Sequence, residues 1–186
     1  MAEPKKKRSL ITTLALLFTL VFLLVLASCV GMCAYGSSVP EAHTASGSEV
    51  IKADIDDVFA MQADVQKHPE WHDLVAEIKD YKEEEDGTAS WHEVWKDGNE
   101  FGMKRTAYIE GKLIRVQIED KAEVFNGSWT FDFEEVEGGT KVTITENGNI
   151  PNAFIRGMYH LTTEPDQTLK EHLKRMKTEA EKRATK

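Results

Sequence analysis

Hydrophobic and polar positions divide the chain into a long uncharged segment, a region of alternating apolar residues and a final amphipathic stretch. No charged residue occurs between Ser9 and Pro40, and residues 10–30 are almost wholly apolar. A helix of these 21 residues would be roughly 31 Å long, enough to cross a hydrocarbon core of about 30 Å. The pattern therefore predicts one transmembrane or signal segment over residues 9–35.

A basic head, residues 1–8, precedes this segment and contains Lys5, Lys6, Lys7 and Arg8. Because basic flanks stay on the cytoplasmic side, we expect a single-pass protein with a cytoplasmic N-terminus and an extracytoplasmic domain. Three interpretations of the segment are open. It is a retained membrane anchor, a signal cleaved to release a soluble protein, or a bacterial lipoprotein signal. In the last case the lipobox-like Leu26-Ala27-Ser28-Cys29 would leave Cys29 to carry lipid.

Beyond the segment, residues 36–48 are rich in Gly, Ser and Ala, which predicts a flexible linker. A folded domain is then predicted over residues 49–183. Its apolar residues alternate with polar ones between turn signals such as Asp97-Gly98 and Gly138-Gly139, which predicts seven strands in an antiparallel meander.

The end of the chain has apolar residues at helical spacing. Leu169, Leu173, Met176 and Ala180 recur every three or four residues, which predicts a long helix from about Pro165. The same phase at Phe154, Met158 and Leu161 predicts a shorter helix over residues 152–162. We expect both helices to pack this stripe against the sheet.

The stretch of residues 127–156 is the most specific part of the chain. Trp129, Phe131 and Phe133 share one face of a strand, and Val142 and Ile144 share a face of the next. Glu146 falls on the same parity as these apolar residues. On an earlier strand, Trp91, Glu93 and Trp95 also share parity.

The motif G-x-W-T, followed by G-T-x-V-T-I-T-E-x-G and then by Asn152 and Arg156, resembles the last third of the polyketide cyclase, dehydrase and lipid transport (SRPBCC) family. This family belongs to the START-like, helix-grip superfamily. The resemblance implies an α+β fold in which a curved antiparallel sheet, seven-stranded by the count above, grips the C-terminal helix. It also implies an apolar cavity between sheet and helix.

Ten residues are expected to line that cavity: Trp91, Glu93, Trp129, Phe131, Phe133, Val142, Ile144, Glu146, Arg156 and Leu169. We expect Glu93, Glu146 and Arg156 to approach one another at its concave side. Arg156 would keep Glu146 ionised, while burial would raise the pKa of Glu93. In the structural alternative, Glu146 pairs with Arg156 at the rim and Glu93 faces water.

Charge and motifs narrow the chemistry. The net charge is −9 although the head is basic, so the domain is acidic and we predict no binding to nucleic acid. Both cysteines, Cys29 and Cys33, lie in the apolar segment, which leaves the domain without a thiol nucleophile or disulfide. His68 and His72 have ligand-like spacing, but Pro69 interrupts it and no third ligand is evident. We therefore predict no metal and no cofactor.

These observations favour a membrane-tethered binding or carrier module for a hydrophobic small molecule or lipid. One alternative is a cyclase-like or dehydratase-like enzyme that uses Glu93 or Glu146 as acid or base. The other is a structural or interaction domain whose cavity has collapsed.

Overall fold

A computed structural model of the chain describes residues 10–119, 125–164 and 166–185. The helices are α1 (Leu10–Ser38), α2 (Ile55–Ala63), α3 (His68–Trp71), α4 (Ala153–Thr162) and α5 (Gln167–Ala184), with a 3-10 turn at Val65–Lys67. The strands are β1 (Ala42–Ile51), β2 (Val75–Glu83), β3 (Ala89–Trp95), β4 (Glu100–Ile109), β5 (Leu113–Ile118), β6 (Asn126–Val136) and β7 (Gly139–Asn149). The predicted basic head and the predicted helix start at Pro165 lie outside the described residues.

The seven strands form one antiparallel sheet in the order β1-β7-β6-β5-β4-β3-β2. Neighbours from β2 to β7 are joined by hairpins, while β1 returns to pair with β7. The β6–β7 hairpin requires glycine twice: Gly138 has φ +92°, and a Cβ on Gly139 would lie 2.1 Å from the carbonyl oxygen of Ile51. The predicted α+β fold with a seven-stranded antiparallel sheet is confirmed.

Helix α5 packs its apolar stripe onto the concave face of the sheet. Leu169, Leu173, Met176 and Ala180 are all buried, as their spacing predicted. The helix lies closest to β1 and β7, because a Cβ on Gly47 of β1 would be only 3.5 Å from Leu173 Cδ1. The C-terminal helix therefore covers the β1–β7 side of the sheet.

The predicted linker over residues 36–48 needs correction. Helix α1 continues to Ser38, and β1 begins at Ala42, where it pairs with Asn149 at the end of β7. The sequence did not indicate a strand here, because β1 reads AHTASGSEVI and has only two large apolar residues. A helix packed closely above the strand accepts small inward residues such as Ala45 and Gly47, so this strand does not need a hydrophobic stripe.

The predicted packing of the shorter helix is wrong. Helix α4 forms over the expected residues, but its apolar stripe is exposed: Phe154 by 37%, Met158 by 42% and Leu161 by 61%. Helix α4 instead contacts α1 through small residues, and a Cβ on Gly36 would lie 1.7 Å from the carbonyl oxygen of Ala153. Close backbone approach, rather than burial of large side chains, determines where α4 lies.

The packing of α5 yields a first test. Met176 is 0% exposed, so Met176→Ala should lower the free energy of unfolding by about 2–5 kcal/mol. Denaturation can be followed by tryptophan fluorescence, since all four tryptophans lie in the domain. The exposed Lys174→Ala on the same helix is the control, with an expected change within about 0.5 kcal/mol. Equal effects of the two substitutions would contradict this packing.

Candidate ligand site

Six of the ten predicted cavity residues are part of the packed core: Trp91, Phe131, Phe133, Val142, Ile144 and Leu169. The five that lie on strands point to the concave face, under α2 and α5, as their alternation with polar residues predicted. The described residues line two cavities of about 550 and 460 Å³, and none of the ten lines either of these two.

Glu146 is buried, but its partners differ from those predicted. Its carboxylate lies 3.0 Å from His43 Nε2 and accepts a hydrogen bond of 2.9 Å from the indole N–H of Trp129. Gly148 makes the first contact possible, because a Cβ there would lie 2.1 Å from the His43 ring. The ring centroids of His43 and Tyr159 are 5.8 Å apart, and burial together with the charge of Glu146 raises the pKa of the Tyr159 hydroxyl. His43 was missed because it lies in the segment interpreted as a linker.

Arg156 is buried against backbone oxygens. Its guanidinium donates to the carbonyl oxygens of Gly36 at 2.7 Å, Ile150 at 2.6 Å and Pro151 at 2.9 Å. Its ion pair, at 3.6 Å, is with the largely exposed carboxylate of Glu41. Arg156 therefore joins α1, α4 and the end of β7. The predicted Glu146–Arg156 contact does not form, because α4 leaves the sheet and carries Arg156 with it.

Glu93 lies on the concave face but far along the sheet from Glu146. Strands β4, β5 and β6 separate them, which at about 4.8 Å per strand is roughly 19 Å along the sheet. Glu93 accepts a hydrogen bond of 2.8 Å from Trp95 Nε1. Burial raises the pKa of the Glu93 carboxyl, in the predicted direction, although the nearby indoles of Trp95 and Trp91 oppose the rise. Of the predicted three-residue site, the structure keeps the concave placement of Glu93 and Glu146 and the direction of the Glu93 pKa shift, but it does not bring the three residues together.

The larger cavity has a volume of about 550 Å³ and lies between α2 and the β2–β4 side of the sheet. It is lined by Asp56, Phe59, Ala60, Ala63, Asp64, Gln66, Tyr81, Glu83, Arg105, Tyr108 and Glu110. We call it the α2 cavity. The C-terminal helix α5 contributes none of these residues. The cavity therefore lies beside the space between the sheet and α5, not within it.

Arg105 lies at the bottom of the α2 cavity and is only 2% exposed. It donates to the carbonyl oxygens of Gly87 at 2.7 Å and Ala63 at 3.1 Å, and it pairs with Glu83. Its guanidinium carbon lies 4.7 Å from the centre of the Tyr108 ring. Sequence reasoning missed Arg105, yet the signal was present: it shares strand parity with Phe101 and Met103, just as Glu93 does with Trp91.

The walls of the α2 cavity combine aromatic rings with carboxylates. The Phe59 and Tyr108 rings meet edge to face with centroids 5.4 Å apart, and the Tyr81 hydroxyl donates to Glu83 at 2.7 Å. Burial and this hydrogen bond raise the pKa of Tyr81. Asp56, Asp64, Glu83 and Glu110 outnumber the one arginine among the lining residues. Such walls suit a molecule with an apolar body and hydrogen-bond donors at its edge.

The second cavity, about 460 Å³, adjoins the sheet end that carries β1, β6 and β7. Short polar side chains on the convex face supply much of its lining, including Thr44, Ser128 and Asn147. Thr44 Oγ1 already donates to Asn147 Oδ1 at 2.9 Å. Among the described residues that line this depression there is no Phe, Tyr or Trp, so it is the weaker candidate for an organic ligand.

His68 and His72 join His172 and Trp71 in an aromatic cluster between α3 and α5. The His72 and His172 rings are 5.2 Å apart, and the Trp71 ring is 5.1–5.7 Å from all three histidines. Burial lowers the pKa of His68 and of His72 to about 4, and that of His172 well below its usual value. Among the described residues, no group of three His, Cys, Asp or Glu is placed to hold a metal ion. The cluster is a neutral packing unit at neutral pH.

The family model for polyketide cyclase / dehydrase and lipid transport matches residues 42–181. The chain belongs to this family, and the match begins at the first residue of β1. Comparison with curated proteins gives no match.

Solved structures share the fold at low identity. The di-domain ARO/CYC protein BexL of the BE-7585A biosynthetic pathway is 15% identical, with a TM-score of 0.64 over 80% of this chain, which spans about half (53%) of that protein. The Zhui aromatase/cyclase from Streptomyces sp. R1128 is 14% identical over 76% of this chain and 95% of its own, with a TM-score of 0.63. A START superfamily protein from Mycobacterium smegmatis is 12% identical over 75% and 98%, with a TM-score of 0.61. At these identities the likeness shows the fold alone.

The histidine cluster predicts a pH dependence of stability. Between about pH 6.5 and pH 4 the unfolded chain binds protons that folded His68 and His72 do not, so the free energy of unfolding should decrease as the pH falls. From pH 7 to pH 5 the loss should be roughly 2 kcal/mol per histidine. His72→Phe keeps the ring contacts and removes one titrating group, so its loss should be smaller.

The exposed His160→Phe is the control and should keep the full pH dependence. Glu93 has the opposite effect, because its raised pKa stabilises the folded state at lower pH. This effect is the same in the unaltered chain and in both variants, so it does not change the comparison. Denaturant titrations at pH 7 and pH 5 make the measurement. Identical pH dependence in His72→Phe and the unaltered chain would refute the assignment.

Proposed function

We propose that this protein is a membrane-tethered module that binds or carries a hydrophobic small molecule or lipid, and that the α2 cavity is its ligand site. The observation that carries the proposal is a cavity of about 550 Å³ on the concave side of the sheet, with aromatic walls and a buried Arg105 at its base. Ligand sites are typically about 300–1,000 Å³ and orient their ligands through a few polar groups. The family description, which includes lipid transport, supports the same class.

The membrane part of the proposal rests on α1. Among the described residues, it is the one helix long and apolar enough to span a membrane. The basic head before it supports a cytoplasmic N-terminus and an extracytoplasmic domain. Domain residues pack closely against Met32 and Gly36, which favours interpretations in which this segment stays attached. A retained anchor and a lipid on Cys29 both satisfy that requirement.

Filling the α2 cavity tests the ligand site. Ala60 is an exposed residue of α2 that lines the cavity, so Ala60→Trp should occupy it without disturbing the core. Native mass spectrometry of the full chain, released from detergent, should show a co-purified small molecule that this variant loses. Ala184→Trp, at an exposed position near the end of α5, is the matched control and should retain it. Retention of the same molecule at equal occupancy by both variants would place the ligand elsewhere.

The mode of attachment has its own test. The full chain should sediment with membranes and resist extraction by carbonate, because α1 has about 30 Å of apolar length to bury. Cys29→Ser should leave an anchored protein unchanged, whereas a lipoprotein would lose both its lipid and its processing. Mass measurement of the purified chain distinguishes these outcomes. Recovery of the intact chain in a soluble exported fraction would exclude both attached forms.

A second candidate function is an enzyme related to cyclases or dehydratases, and one observation favours it. Glu146 and His43 form a carboxylate–imidazole pair at 3.0 Å, an arrangement that orients an imidazole for proton transfer. Glu146 would act here as a positioning residue for His43, and the half-buried Glu93 would be a separate acid. The His43 side chain is 15% exposed and lines the second cavity, but Glu93 lies roughly 19 Å from Glu146 across the sheet, too far to act on the same substrate atoms. Binding without turnover therefore accounts better for the site.

A further inference from the structure

Helix α4 exposes an apolar stripe beside α1. Phe154, Met158 and Leu161 occupy one side of α4, spaced by four and three residues, and Leu161 is the most exposed at 61%. No other helix of the described domain leaves three large apolar side chains uncovered in this way. In soluble proteins, an exposed row of large apolar side chains usually marks a site that a partner or a membrane covers.

The contacts between α1 and α4 show in which direction α4 runs. Gly36 of α1 meets Ala153 at the start of α4, and Met32, one turn earlier on α1, meets Gly157, one turn later on α4. The two helices are therefore antiparallel at this contact, and α4 runs back along α1 toward its apolar portion. Leu161 lies one further turn in that direction.

The charge of α4 also differs from that of the domain. The domain is acidic, yet α4 reads AFIRGMYHLT and contains no carboxylate. Its arginine, Arg156, is buried in the joint with α1 and is not part of the exposed stripe. A helix without acidic residues avoids repulsion from anionic lipid headgroups, and its apolar side can enter the boundary between headgroups and acyl chains.

We propose that α4 is an interfacial helix whose stripe of Phe154, Met158 and Leu161 inserts into the bilayer that α1 spans. The occupant of this surface is lipid, because α4 packs against α1 and runs along it toward its apolar portion. This inference rests on the proposed membrane attachment through α1. It adds that the domain sits directly on the membrane, held by the Gly36–Gly157 joint, rather than hanging from a tether.

A fluorescent label on Leu161 tests this in the full chain. Cys29→Ser and Cys33→Ser remove both native thiols, and Leu161→Cys then provides one site for an environment-sensitive fluorophore. In vesicles of zwitterionic and anionic phospholipids, the label should emit at shorter wavelength than in water. Lipids that carry a nitroxide on the upper acyl chain should quench it at least twofold. Glu137→Cys, at the exposed β6–β7 turn far from α4, is the control and should show neither effect.

Carbonate extraction of the same vesicles keeps the two proposals apart. A chain that resists extraction but carries a water-like, unquenched label at position 161 would overturn the interfacial helix and leave the membrane anchor intact. A shifted emission without lipid quenching, which disappears as lipid is added in excess, would identify a second copy of the chain as the occupant and would also overturn it. The unaltered chain is extracted in parallel, because Cys29→Ser would remove any lipid from Cys29. If carbonate extracts the unaltered chain, the attachment is refuted, and the interfacial helix with it.

Discussion

The joint between α1 and α4 is the constraint on which the arrangement of this protein depends. Gly36 and Gly157 allow the two backbones to approach more closely than any side chain would permit. Arg156 then closes the joint by donating to three carbonyl oxygens, one of them from Gly36 itself. A buried guanidinium is costly unless its donors are satisfied, so this arginine stabilises only the docked position of α1. The same joint turns α4 away from the sheet and leaves its apolar stripe uncovered.

Three charged groups lie on an otherwise apolar concave face. Glu93, Arg105 and Glu146 all occupy positions where strand parity calls for a hydrophobic residue. Each is satisfied locally: Glu93 by the indole of Trp95, Glu146 by Trp129 and His43, and Arg105 by two carbonyls and Glu83. They do not form one site, because several strands separate them. Of the three, Arg105 lines the α2 cavity, which is why the proposed ligand site lies beside α2.

Much of the fold could be predicted because its signals are local. Alternation identified strands β2 to β7, glycines marked their turns, and the spacing of Leu169, Leu173, Met176 and Ala180 identified α5. The first part of β1, from Ala42 to Ser48, was assigned to the linker, because α5 covers the strand so closely that Ala45 and Gly47 suffice on its inner side. The site was harder to predict. The parity of Glu93 and Glu146 was correct, but the same test applied to Phe101 and Met103 would also have identified Arg105.

The sequence by itself determined which side chains point to the concave side, since that depends only on the two-residue period of a strand. It also determined that the first helix is apolar enough for a membrane. Tertiary structure alone decided which groups meet. Glu146 meets His43 from 103 residues away, and Arg156 meets Gly36 from 120 residues away. These distances along the chain are closed by the pairing of β1 with β7 and by the approach of two helix backbones. Neither the strand pairing nor the helix contact produces a hydrophobic pattern in the sequence, because both depend on small residues.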